Sequence, residues 1–133
     1  MNTQELRIDN WVNYKGEPIK LNSISRYGIY YTPSPCKAFQ SEVSSVHVQV
    51  IPLTEEILLK CGFKKYEDVY SLNMFGLLYY SGQFHYAVWQ YNGYIEEMEF
   101  SDPSEIDTPA ILYVHQLQNL YFALTGKELP ITF

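Results

Sequence analysis

Residues 75–91 read FGLLYYSGQFHYAVWQY, two apolar runs separated by Ser81-Gly82. A Ser-Gly dipeptide between two such runs is typical of a two-residue hairpin loop, because glycine accepts a positive φ without steric cost. A loop of that length pairs Leu78 with His85 and places Tyr79, Phe84 and Tyr86 on one face. The pattern predicts an antiparallel hairpin with an aromatic face.

A second glycine turn, Asn92-Gly93, follows the same strand. If its loop also has two residues, His85 pairs with Phe100 and Trp89 pairs with Glu96. The two turns together predict an antiparallel meander over residues 66–100.

The N-terminal region is also rich in strand patterns. Alternation of apolar and polar residues over 6–14, followed by the turn cluster at 15–18, predicts a strand and a tight turn. A second strand is expected over 19–32 with a bend near Ser23 or Gly28, and a third over 46–51 before a proline. These strands resemble the start of an SH3-like barrel, although a fold does not fix a function.

Two helices are predicted. Thr54 fits an N-cap before a short apolar helix that Gly62 and Phe63 would close. A longer helix is expected over 110–125, with Gly126 at its end and a short edge strand over 129–133. The sequence thus predicts an α+β fold: an antiparallel strand meander with an SH3-like N-terminal strand set, one short and one long helix, in a single domain over 1–133.

Composition narrows the functional classes. The chain of 133 residues has a net charge of −6, and residues 54–133 carry eleven acidic against four basic side chains. This imbalance opposes phosphate binding, so nucleic acid is not the expected partner. The alternative is an SH3-like nucleic-acid-associated protein that uses four basic and two aromatic side chains, namely Arg7, Lys15, Lys20, Arg26, Trp11 and Tyr14.

No motif supports catalysis, a cofactor or a metal. The sequence contains no GxGxxG, GxxxxGK[ST], HExxH or CxxC spacing, and these are the patterns through which such sites are recognised. Cys36 and Cys61 fit the reduced thiols of a cytoplasmic protein, and no apolar run approaches the roughly 20 residues of a membrane span. We therefore expect no catalytic, cofactor-binding or metal residues, although an enzyme with an unrecognised site remains a second alternative.

The remaining signal is a contact surface. Thirteen tyrosines and a helical region without any charged residue from Thr108 to Gly126 are unusual in a chain of this size. Interface cores are depleted in charge and enriched in aromatic residues. The sequence therefore predicts a non-enzymatic interaction module, either a homo-oligomer or bound to a protein partner. Its expected interface comprises Tyr79, Phe84, Tyr86, His115, Gln118, Asn119 and Phe122.

Three blocks of sequence carry a resemblance. Residues 6–12, 52–63 and 113–129 read LRIDNWV, PLTEEILLKCGF and YVHQLQNLYFALTGKEL. They resemble recurring blocks of short uncharacterised proteins encoded by phages and prophages of gut anaerobic bacteria, a group that commonly has glycine in place of Asp9. The resemblance implies a phage-derived cytoplasmic context and no catalytic residues.

Overall fold

The structure is a computed structural model that describes residues 5–25, 28–31, 41–43, 48–87, 89–91, 98–100 and 109–133. The chain divides into two compact units. Unit 1 comprises residues 1–52, 113–129 and 133, and unit 2 comprises residues 53–112 and 130–132. The division into two units does not test the expectation of a single domain over 1–133, which stays a prediction.

Unit 1 contains an antiparallel five-stranded sheet in the order β4-β3-β2-β1-β5. Its strands are β1 (Trp11–Tyr14), β2 (Glu17–Ser25), β3 (Gly28–Tyr31), β4 (Ser41–Val43) and β5 (Val48–Gln49). The predicted tight turn is confirmed: Tyr14 pairs with Glu17 across Lys15 and Gly16, whose φ angles are 52° and 81°. Two positive φ angles in succession define the type I′ geometry that suits a twisted hairpin.

The predicted second strand is two strands. Residues 17–25 and 28–31 form β2 and β3, which pair with each other, and the register shifts between Leu21 and Ser23. The irregularity near Ser23 was therefore predicted, whereas the reversal of direction before Gly28 was not. The third strand is shorter than expected, with β5 covering only residues 48–49, and residues 46–47 lie outside the described part of the chain.

The long helix of unit 1, α2 (Val114–Thr125), starts four residues later than predicted. Ala110 and Ile111 instead form a strand, because a short apolar run before a helix fits either period. Gly126 ends α2 as predicted, with φ 72°. No strand forms over residues 129–133, which corrects the expected edge strand.

Unit 2 contains a second antiparallel five-stranded sheet, in the order β12-β9-β8-β7-β6. Its strands are β6 (Lys64–Tyr66), β7 (Val69–Leu72), β8 (Phe75–Tyr80), β9 (Gln83–Ala87) and β12 (Ala110–Ile111). The Ser81-Gly82 hairpin is confirmed, because Tyr80 pairs with Gln83 and Leu78 with His85. Ser81 and Gly82 have φ angles of 52° and 78°.

The short helix α1 (Glu55–Lys60) also belongs to unit 2. The Thr54 side chain accepts a hydrogen bond from the Ile57 amide at 3.3 Å, as an N-cap should. Beyond Gly62, whose φ is 97°, the Phe63 amide donates to the Leu58 carbonyl at 3.1 Å. This is the predicted Schellman ending, and both apolar partners are buried.

A third, two-stranded sheet corrects the predicted register of the second hairpin. Strands β10 (Trp89–Tyr91) and β11 (Met98–Phe100) pair Trp89 with Phe100 and Tyr91 with Met98. Residues 92–97, which include the expected Asn92-Gly93 turn, lie outside the described part of the chain. The observed register differs from the predicted one by four positions, an even number, and an even shift is compatible with the same alternation pattern. Alternation alone therefore could not separate the two registers.

These elements confirm an α+β fold with an antiparallel meander, one short helix and one longer helix. The SH3-like likeness of the N-terminal strands stays a prediction. Neither α1 nor α2, the helices of the described residues, has the length and apolar content that a membrane crossing needs.

Candidate functional site

One face of the unit 2 sheet collects most of its large side chains. Residues directly opposite in antiparallel strands point to the same face. The observed pairs Tyr70 with Leu77, Tyr79 with Phe84, and Phe84 with Ile111 therefore define a single face. We call it the aromatic face.

Part of the aromatic face is packed against the segment around α1. The Phe63 ring meets Phe75 edge-on at 6.2 Å between centroids, and Phe75 in turn contacts Tyr86 at 5.3 Å. Leu58 of α1 and Leu77 of β8 are fully buried. This end of the face forms the core of unit 2, and its buried side chains are not accessible to a ligand.

The other end of the aromatic face is open. A cleft of about 480 Å³ lies there, within unit 2. Tyr70, Tyr79 and Phe84 form its aromatic part, with centroid separations of 5.5 Å from Tyr70 to Phe84 and 5.0 Å from Tyr79 to Phe84. Leu53 and Ile111 add aliphatic surface. Phe84 is 7% exposed and lies at the bottom of the cleft, whereas Tyr79 is 43% exposed and lies at its solvent-accessible side.

An ion pair stands on one side of this cleft. The Lys65 ammonium lies 2.8 Å from the Glu55 carboxylate and 5.7 Å from the centre of the Tyr70 ring. The hydrogen bond with Lys65 lowers the pKa of Glu55, and the same bond raises the pKa of Lys65. Burial raises the pKa of Tyr70. At neutral pH the pair is therefore charged and the tyrosine neutral.

Asp68 is the second acidic residue among those that line the cleft. It belongs to the two-residue turn between β6 and β7, and its carbonyl accepts a hydrogen bond from the Tyr79 amide at 2.8 Å. This bond holds Asp68 beside Tyr79. Within the described ranges, no Lys, Arg or His lies within ion-pair distance of the Asp68 carboxylate. The lining residues thus include one ion pair, Glu55 with Lys65, and one further acidic residue, Asp68, that has no ion-pair partner among the described residues.

The sequence-predicted interface residues fall into two separate groups. Tyr79 and Phe84 line the cleft, and Tyr86 lies on the same face but against Phe75. The other four belong to α2 in unit 1: His115, Gln118, Asn119 and Phe122. The N-terminal segment of the same chain contacts all four.

Gln118 and Asn119 anchor that segment. The Gln118 side chain accepts a hydrogen bond from the Trp11 amide at 2.8 Å and donates to the Asp9 carbonyl at 3.0 Å. The Asn119 amide group donates to the Glu5 carbonyl at 2.8 Å. Its oxygen accepts from the Asn10 side chain at 2.9 Å and from Arg7 Nε at 3.2 Å. Both amides are thus satisfied within the chain.

Arg7 covers the exposed end of this helix face. Its guanidinium forms a two-point contact with the Glu128 carboxylate, at 2.6 Å and 3.0 Å, and lies 4.4 Å from the centre of the Phe122 ring. The bond to Glu128 raises the pKa of Arg7, and the bond from Arg7 lowers the pKa of Glu128. The charges missing from α2 itself are supplied here by neighbouring segments.

His115 is fully buried, and its Nε2 lies 3.2 Å from the Glu5 carboxylate. In the neutral ring Nε2 then carries the proton, which leaves Nδ1 as an acceptor. No hydrogen-bond partner for Nδ1 occurs among the described residues. The Tyr113 ring stacks on the imidazole at 5.9 Å with an interplanar angle of 6°. An imidazole so enclosed packs the core of unit 1.

Cys61, the cysteine within the described ranges, is not among the residues that line the cleft, and Cys36 lies outside those ranges. Cys61 is buried, and burial raises the pKa of its thiol to about 11, which leaves very little thiolate at neutral pH. The described ranges contain no cluster of three or more His, Cys, Asp or Glu side chains suited to a metal ion.

Sequence reasoning missed Glu55, Lys65, Asp68 and Tyr70 as members of one site. Glu55 lies in the first turn of α1, where an acidic side chain is already expected for the helix itself. The other three depend on the β6–β7 hairpin, whose turn, Glu67-Asp68, contains no glycine to mark it. The sequence signal for this hairpin is weak. It consists of the short run Lys64–Tyr66, which is followed after two residues by the strand-like run Val69–Leu72.

Comparison with protein-family models, curated proteins and solved structures gave no match. The geometry of the chain itself therefore carries the functional argument.

Proposed function

We propose that this protein is a non-enzymatic interaction module that binds a segment of a protein partner in the unit 2 cleft. The proposal rests on one observation: the cleft combines a buried phenyl ring, Phe84, with an exposed tyrosine ring, Tyr79. Tyrosine suits such a surface because its ring gives apolar contact while its hydroxyl tolerates water. Tyrosine is also enriched among the few residues that carry most of the binding energy in protein interfaces.

The size of the cleft supports a small anchoring group. Ligand pockets commonly measure roughly 300–1,000 Å³, and the value of about 480 Å³ falls in the lower part of that range. This space accommodates one or two side chains of a partner segment. The rest of the partner would contact the exposed rim.

The charge states in the cleft support binding over acid–base chemistry. A catalytic carboxylic acid needs a raised pKa and a nucleophilic lysine needs a lowered one. Here the pKa of Glu55 is lowered and that of Lys65 is raised, because each stabilises the charged form of the other. The pair orders the cleft wall without a proton to exchange near neutral pH.

Three basic residues of unit 1 that the structure describes favour a protein partner over nucleic acid, whereas Arg26 lies outside the described part of the chain. Arg7 is bound to Glu128, and the Lys20 ammonium lies 3.8 Å from the Asp9 carboxylate. Lys15 lies over the ring of the adjacent Tyr14. The two acidic neighbours, Glu128 and Asp9, reduce the positive potential that a phosphate backbone needs.

The cellular setting forms part of the same proposal. The sequence blocks at 6–12, 52–63 and 113–129 support a phage- or prophage-derived protein that acts in the cytoplasm of its host. A partner in that setting is a host or phage protein, or a second copy of this chain.

A displayed library of random peptides, selected on the immobilised full chain, tests the proposal. Selected peptides are then measured by fluorescence anisotropy against the wild type, Tyr79→Ala and Tyr80→Ala. Tyr80 is a matched control, because it is 46% exposed and follows Tyr79 on β8 but points to the opposite face. We expect Tyr79→Ala to weaken binding at least about tenfold, since truncating a central aromatic anchor costs roughly 2 kcal/mol.

Tyr80→Ala is expected to change the affinity less than about twofold, as for a residue outside the contact. Equal binding by the two variants would overturn the proposal, and so would a selection in which no peptide is enriched.

A further inference from the structure

The fixed charges of the cleft leave it acidic. Glu55, Lys65 and Asp68 are the acidic and basic residues that line it. Glu55 and Lys65 neutralise each other at 2.8 Å, whereas the Asp68 carboxylate has no such partner among the described residues. A ligand group that enters beside Asp68 therefore gains most if it is positively charged.

The aromatic residues of the cleft reinforce this preference. The face of an aromatic ring is electronegative and attracts cations that approach within about 6 Å of its centre. The Lys65 ammonium already lies 5.7 Å from the centre of the Tyr70 ring. Tyr79, whose amide is bonded to the Asp68 carbonyl, offers a second ring at the exposed side.

The charge of unit 2 acts in the same direction over a longer range. Its described residues within 53–112 include five Asp or Glu and three Lys, which gives a net charge of −2. Such a field attracts cationic ligands and repels anionic ones, and salt screens it.

From these observations we infer that the partner segment inserts an arginine side chain into the cleft, beside Asp68 and the Tyr79 ring. The inference rests on the proposed function and names the chemistry of the partner. Arginine fits better than lysine, because a planar guanidinium can stack on an aromatic ring and bond a carboxylate with two N–H groups at once.

Three acetylated pentapeptide amides, Gly-Tyr-X-Tyr-Gly, test the inference with X as arginine, citrulline or glutamate. Citrulline has nearly the shape of arginine but no charge. Affinities are measured by NMR titration of the full chain at low ionic strength. We expect the arginine peptide to bind about fivefold to tenfold more tightly than the citrulline peptide, equivalent to roughly 1–1.4 kcal/mol for a cation beside an aromatic ring and a carboxylate. The glutamate peptide is expected to bind most weakly.

The variant Asp68→Asn assigns the preference to one carboxylate. It keeps the backbone carbonyl that bonds Tyr79 and removes only the charge. We expect the ratio of arginine to citrulline affinity to fall to about twofold or less, the remainder being the ring contribution. Glu67→Gln is the matched control, because it removes one negative charge from the same turn at a residue outside the cleft lining. This control should keep the wild-type ratio.

The outcomes separate this inference from the proposed function. Equal binding of the arginine and citrulline peptides, with both lost in Tyr79→Ala, overturns the arginine assignment and leaves the cleft as a binding site. An unchanged ratio in Asp68→Asn also overturns the assignment. A failure of all three peptides to perturb the cleft signals overturns the arginine assignment, whereas the library selection decides the proposed function separately.

Discussion

Replacing Gln118 by leucine is expected to lower the free energy of unfolding by about 3–5 kcal/mol, since each unsatisfied buried polar group costs roughly 1–3 kcal/mol and packing is also disturbed. Gln118 is 2% exposed. The substitution removes the acceptor for the Trp11 amide and the donor for the Asp9 carbonyl. Urea denaturation measures the loss, and faster hydrogen exchange at the Trp11 amide locates it.

Gln49→Leu is the control for this experiment. Gln49 lies in β5 of the same unit and is exposed, so the same substitution should change stability by less than about 0.5 kcal/mol. A loss below 1 kcal/mol in Gln118→Leu, roughly the net value of one hydrogen bond, would show that the N-terminal segment does not depend on Gln118.

Asn119→Lys is expected to destabilise the fold by about 2–4 kcal/mol, because it breaks three hydrogen bonds and brings a second cation close to Arg7. Those bonds join Asn119 to the Glu5 carbonyl, the Asn10 side chain and Arg7 Nε. The charge-free pattern of α2 alone predicts a different result, namely a loss of association with little change in stability. Light scattering combined with thermal denaturation distinguishes the two.

Ala123→Lys serves as the matched variant for Asn119→Lys. It adds the same charge at an exposed position of α2 and should change stability by less than about 0.5 kcal/mol. If Asn119→Lys keeps the wild-type melting temperature but converts a dimer to a monomer, the interface hypothesis for this helix face is supported and our account of its contacts fails.

The helix face illustrates why sequence reasoning identified unusual residues without locating their partners. Neutral amides such as Gln118 and Asn119 lose less than charged groups on burial, so they suit any surface that is to be covered. The sequence pattern is the same whether the cover is another molecule or residues 5–11 of the same chain. The sequence therefore indicates that this helix face is covered. Which residues cover it depends on the tertiary fold.

Turns show a second limit. Lys15-Gly16 and Ser81-Gly82 were predicted because glycine marks a positive φ, and both turns have that geometry. The turns at Glu67 and Asn73 have φ angles of 54° and 55° without glycine. They carry two hairpins of the unit 2 meander, and one of them positions Asp68. The aromatic residues of the cleft on β8 and β9, Tyr79 and Phe84, could be predicted from strand alternation. Its charged residues, Glu55, Lys65 and Asp68, could not.

The register of β10 and β11 shows a third limit. Strand alternation specifies which residues share a face, and the predicted and observed registers agree on that. The number of residues in the loop decides the pairing, and Asn92-Gly93 is only one of the turns that the 92–97 segment could use. Alternation within the two strands therefore did not determine their register.

The most direct test of the account is an NMR titration of the full chain with the tightest peptide from the library selection. The central claim is that the partner binds in the unit 2 cleft. It predicts the largest chemical-shift changes at the amides of Asp68, Tyr79 and Gln83, which line that cleft. Changes concentrated instead at Asn119 and Phe122 on α2, with the cleft signals unmoved, would contradict it.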